Sequence, residues 1–73
     1  MSELPILSGK EIIKALVQLG YKVVRQRGSH IRLHCPGKKP ITVPNYKSID
    51  RSLLHKILRD AQINHEEFLN NYK

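Results

Sequence analysis

Seventy-three residues allow one domain with a thin core, since a chain this short buries only roughly 60% of the surface it exposes when unfolded. That excludes a deep pocket for a large cofactor. A formal charge of +7 points instead to an anionic partner, nucleic acid ahead of a membrane surface or an acidic protein. The lone cysteine, Cys35, offers neither an internal disulfide nor a thiol pair for zinc, which fits a reducing cytoplasm. No apolar run nears the roughly 20 residues of a membrane span. The opening "MSELPILSGKE" carries two acids and does not read as a signal peptide. The expectation is a soluble cytoplasmic protein in which residues 1–73 form one domain.

The first helix is signalled by Ser8 and Glu11, the two partners of a capping box, with Leu7 and Ile12 at the positions of a hydrophobic staple. Ile12, Leu16 and Leu19, with Ile13 beside them, make an apolar stripe, and Gly20 supplies a left-handed stop. This predicts a helix over residues 9–19. "YKVVRQR" and "HIRLHC" follow, joined by Gly28-Ser29. Glycine in the first of two loop positions suits a type II′ hairpin turn, because that position needs a positive φ.

That turn sets a register. Arg27 falls opposite His30, Gln26 opposite Ile31, Arg25 opposite Arg32, Val24 opposite Leu33 and Val23 opposite His34. Directly opposed residues share a face. Arg25, Arg27, His30, Arg32 and His34 are therefore expected on one face, and Val24, Ile31 and Leu33 on the core face. After "PGKKP" a third strand, "ITV", stops at Pro44. A loop then leads to a second helix with Asp50 as N-cap, Ile49 and Leu54 as staple, and Leu53, Leu54, Ile57, Leu58 and Ala61 as its buried stripe. A short last helix starts at Asn64, with Glu67 three residues on and Ile63 and Phe68 as staple.

The expected fold is α+β, in the order α-β-β-β-α plus a short C-terminal helix. Its helices pack on one face of a three-stranded antiparallel sheet. The other face, with His30, is left to water or to a partner.

Arg25 opposite Arg32 is a like-charge pair, costly unless an anion sits between them. Guanidinium forks suit phosphate oxygens, and two of them beside a histidine make a phosphate platform. Ten of the thirteen basic residues lie between Lys22 and Arg59, a stretch with one acid, Asp50. Histidine is the ordinary side chain best suited to proton transfer near neutrality. On RNA it can take the proton of a 2′-hydroxyl that attacks the adjacent phosphate, while arginines stabilise the developing charge, a route that requires no metal.

A zinc site from His30, His34 and Cys35 fails on arithmetic. Residues four apart on a strand lie about 13 Å from each other, and zinc ligands must sit within about 2.3 Å of the metal. Cys35 is expected on the core side. His55 lies in a row with Arg51 and Arg59 on the second long helix, which suits either a phosphate backbone or plain solvation. His65 receives no role. Tyr21, Tyr46 and Tyr72 form no ladder for stacking bases, although Tyr46 sits on a loop that could touch one.

Taken together, "LSGKEIIKALVQLGY", "RQRGSHIRL", "ITVP" and "LLHKILRDAQINHEEFL" resemble, in that order, the HicA or YcfA-like family of toxins from toxin–antitoxin pairs. The glycine-serine-histidine after a basic strand is the most specific element. The resemblance implies a fold like the double-stranded-RNA-binding domain. It also implies messenger-RNA cleavage that arrests translation, and a HicB-type antitoxin that covers the active site. The histidine closing the motif is His30, which the resemblance makes catalytic.

Three features depart from the family pattern. Tyr46 stands where the family commonly has a histidine after the Val-Pro step. Arg51-Ser52 replaces Gly-Thr, and Ala61-Gln62-Ile63 replaces Ala-Gly-Leu. The expected site therefore comprises His30 as acid or base, with no metal and no cofactor. Arg25, Arg27, Ser29 and Arg32 are its phosphate-binding residues, with Lys38, Lys39 and Lys47 adding weaker contacts. The Gly28-Ser29 turn positions the histidine. A non-catalytic RNA-binding module on the same surface is the alternative, followed by a module for an acidic protein.

Overall fold

The computed structural model describes residues 4–72. Its elements follow the chain order α1 (Gly9–Gln18), β1 (Lys22–Arg27), β2 (His30–His34), β3 (Ile41–Pro44), α2 (Arg51–Ala61) and α3 (His65–Asn71). The strands form one antiparallel sheet in the order β1-β2-β3. The fold is α+β, with three helices and a three-stranded antiparallel sheet, as the sequence led us to expect.

Each helix starts where a side-chain oxygen meets an open backbone N–H. The Ser8 hydroxyl accepts from the Glu11 amide at 3.2 Å, and the Glu11 carboxylate accepts from the Ser8 amide at 3.0 Å. Asp50 accepts from the Leu53 amide at 2.8 Å and Asn64 from the Glu67 amide at 2.7 Å. All three staple pairs (Leu7 with Ile12, Ile49 with Leu54, Ile63 with Phe68) are buried in one core. The first two starts are also tied together, because the Ile49 amide donates to the Leu7 carbonyl at 2.7 Å.

Both long helices end the same way. Past α1, the Tyr21 amide donates to the Leu16 carbonyl and the Gly20 amide to the Val17 carbonyl, with Gly20 at φ +110°. Past α2, the Ile63 amide donates to the Leu58 carbonyl and the Gln62 amide to the Arg59 carbonyl. These are Schellman stops, which need a left-handed residue. The second places Gln62 at φ +59°. A side chain there costs about 1–2 kcal/mol. We expect Gln62→Gly to stabilise the fold by about 1 kcal/mol, part of the relief being offset by the freer unfolded chain. That corresponds to a melting temperature raised by roughly 4–8 °C for a domain of this size. A thermal melt that stays flat or falls would show the strain to be relieved elsewhere.

The core runs under β2 and β3. Ile31, Leu33, Ile41 and Val43 point into it, together with Ile12, Ala15 and Leu16 of α1 and Leu54, Ile57, Leu58 and Ala61 of α2. Leu53 and Cys35 are only partly buried against it. Tyr21 is buried, and its hydroxyl donates to the Lys39 carbonyl over a long 3.5 Å. Burial pushes its phenol above the ordinary 10.0, and Cys35 nearby adds to the push. β1, by contrast, is exposed along its whole length as an edge strand.

Candidate functional site

Gly28 sits at φ +56° and Ser29 keeps a negative φ, the combination a type II′ turn requires. Out of that turn, Arg27 pairs with His30, Gln26 with Ile31 and Arg25 with Arg32, the register expected from the turn. Farther from the turn the expected register fails. Val23, not Val24, lies opposite Leu33, and Lys22, not Val23, opposite His34, because the strand carries an extra residue between Val23 and Arg25. This bulge corrects the placement of Val24. It is 58% exposed and lines the face of His30 rather than the core. Bulges bend a strand and re-aim its side chains; here the effect is an apolar wall beside Arg25.

The result is an open basin of about 510 Å³ on the sheet face opposite the helices. Val24, Arg25, Arg27, His30, Arg32 and Thr42 line it, and among the described residues no acid does. Arg25 and Arg32 oppose each other across the strand pair, so two guanidinium charges converge without a carboxylate between them. Arg32 is held in place by donating to the Thr42 hydroxyl at 3.0 Å. Thr42 reaches it because β3 pairs Arg32 with Thr42 and His30 with Pro44.

The turn that presents His30 is fixed from the other side. The Asn45 amide donates to the Ser29 carbonyl at 2.6 Å, and the Gly9 amide donates to the Tyr46 carbonyl at 2.9 Å. Gly9 is buried, and a Cβ there would run into the Pro44 carbonyl oxygen. The start of α1, the end of β3 and the hairpin turn are thereby stacked in contact.

Of the residues expected in the site, His30, Arg25, Arg27 and Arg32 come together. Gly28 and Ser29 form the turn beside them, and exposed Lys47 lies on the loop that leaves β3 at the same end. Lys38 and Lys39 do not join them. They occupy the β2–β3 loop, at the far end of a strand whose five residues run about 13 Å from first to last. Arg51 also leaves the expected row, because its Nε donates to the Leu4 carbonyl at 2.6 Å and ties the N-terminal segment to α2. Val24 and Thr42 are members of the basin that sequence reasoning missed. Another unread feature lies elsewhere: the rings of His55 and His65 meet edge to face, with centroids 4.5 Å apart.

A model of the family described as "HicA toxin of bacterial toxin-antitoxin" matches residues 9–63. The chain belongs to the HicA toxin family. The match begins at the glycine that seats α1 on the β3–α2 loop, takes in the whole basin and ends just after the α2 stop. HicA membership makes this protein the toxin of a toxin–antitoxin system and implies an antitoxin partner. No curated protein matches the chain. Within the described residues no helix is long and apolar enough to cross a membrane.

Proposed function

We propose that this HicA-family toxin is an endoribonuclease that cuts messenger RNA in the cytoplasm and so arrests translation. Residues 1–73 act as one domain, and a HicB-type antitoxin covers the basin to silence it. The observation that carries this reading is the meeting of His30 with Arg25, Arg27 and Arg32 in one basin that no acid lines among the described residues. An acid-free cluster of guanidiniums favours a phosphodiester, and phosphate is the group whose charge grows during cleavage.

His30 acts as general base on the ribose 2′-hydroxyl. The 2′-oxygen then bonds to phosphorus, the bond to the 5′-oxygen breaks, and that oxygen takes up a proton. Arg25 and Arg32, facing each other from adjacent strands, bind the non-bridging oxygens. Arg27 beside His30 favours the anionic strand over a neutral ligand. Ser29 and Lys47 supply further backbone contacts at the same end. Lys38 and Lys39 sit too far along the sheet to touch the scissile phosphate and contact the strand beyond it.

Products carry the signature of this route. RNA incubated with the toxin in EDTA is expected to end in 2′,3′-cyclic phosphate on one fragment and a 5′-hydroxyl on the other. Abolition of cleavage by EDTA, or 5′-phosphate ends, would exclude it. Tight RNA binding with no cleavage under any condition would leave a non-catalytic RNA-binding module.

A further inference from the structure

Among the described residues, grooves that share side chains run one into the next. The basin of His30 includes Arg32 and Thr42, and both also line a second groove that passes the β3 edge to reach Lys56 and Asp60 of α2. Lys56 in turn lines a third groove, formed by Ser52, His55, Arg59, Asn64 and His65 over a floor of Leu58 and Ile63. Arg32 and Lys56 are thus hinge points of a continuous path from the open sheet face to the outer side of α2 and α3. Among the described residues Asp60 is the one acid along it, set against Arg25, Arg27, Arg32, Lys56 and Arg59.

We propose that this path is the track of a single RNA strand, and that the His55–His65 groove is a second phosphodiester site several nucleotides from the bond being cut. The proposal rests on the reading of the His30 basin as an RNA site. Lys56 and Arg59 are exposed and one turn or less apart on α2, so both can meet a backbone phosphate. His55 and His65 hold each other edge to face, which leaves an imidazole surface beside Arg59 on which an unstacked base can lie. The groove's apolar members, Leu58 and Ile63, are buried floor, and among the described residues no Phe, Tyr or Trp lines it as a protein-binding anchor would. The surface suits a charged, flat, repeating ligand better than a protein.

The test uses the full chain carrying His30→Ala, so that RNA stays intact, and two probes: a fluorescent twelve-nucleotide oligouridine and the dinucleotide UpU. Adding Lys56→Gln and Arg59→Gln is expected to cut the affinity advantage of the twelve-mer over the dinucleotide by about tenfold. The slope of log affinity against log salt should fall by about 1.4, two phosphates at roughly 0.7 each for a single strand. Far-UV circular dichroism and a thermal melt confirm that these exposed substitutions leave the fold intact. Lys10→Gln with Lys14→Gln, which removes the same charge from α1, should change neither quantity.

An undiminished length advantage, or an equal loss in the α1 variant, overturns the track. So does displacement of the twelve-mer by oligoglutamate at equal charge concentration, which would mark an acidic-protein surface. Arg25→Gln with Arg32→Gln separates the two readings. If that pair leaves twelve-mer binding untouched while the α2 pair abolishes it, the basin reading fails and the second site stands. If neither pair affects binding, both fail.

Discussion

Replacing His30 by alanine is expected to reduce RNA cleavage by about 10²–10⁴-fold, the range that a positioned acid or base contributes. The fold should survive, because His30 is exposed on the sheet face that the core does not use, and surface changes of that kind usually shift stability by no more than about 0.5 kcal/mol. RNA binding should largely survive as well. Arg25, Arg27 and Arg32 remain in the basin and supply the sequence-independent attraction to phosphate. His30→Gln sharpens the measurement, since glutamine keeps hydrogen-bonding capacity but cannot shuttle a proton. Cleavage rates of both variants, measured after rigorous removal of host ribonucleases, should fall alike. Wild-type rates in either would remove His30 from the chemistry.

Gly9→Ala is expected to produce the largest loss of stability from a single added methyl group. On helix propensity alone alanine is favoured over glycine by up to about 1 kcal/mol. Packing opposes it, because the new Cβ meets backbone at Pro44 rather than a flexible side chain. Forcing extra volume into such a contact costs about 1–3 kcal/mol. We expect packing to prevail, with a net loss of about 2 kcal/mol and a melting temperature lower by roughly 8–16 °C. The damage should also reach the chemistry. Pro44 lies opposite His30, and the next residue, Asn45, donates to the Ser29 carbonyl, so a displaced loop moves the turn that aims the imidazole. Cleavage well below the melting temperature should therefore drop about tenfold or more, since small misplacements of reacting groups are costly. A melting temperature that rises would show that the loop yields freely.

What could be read from the sequence was what local chemistry decides. Ser8, Asp50 and Asn64 cap their helices because a short polar side chain must meet the amides that follow it, whatever lies beyond. Gly28 fixed the turn and, through it, the pairs that put Arg25, Arg32 and His30 on one face. What escaped depends on partners distant in sequence or on an irregularity with no residue code. Val23 and Val24 are alike, so alternation could not reveal that one of them is supernumerary. Gly9 read as an ordinary helix start because its closeness to Pro44 spans thirty-five positions. Arg51 looked like one of a basic row, yet Leu4, far back in the chain, claims its guanidinium. The left-handed stop at Gln62 lacked the glycine that usually announces it, and His55 meets His65 only because the chain turns after that stop and brings the first residue of α3 back to α2.

Strand alternation divides β2 between two kinds of selection. Ile31 and Leu33 answer to the core, while His30, Arg32 and His34 answer to whatever lies on the open face. Substitutions on that face cost the fold little, so what the face binds can drift while the scaffold stays constant. The same separation lets an inactive toxin remain a well-folded one. On the proposed reading, in which the antitoxin covers this face, such a chain would still occupy the antitoxin and so release active copies elsewhere in the cell.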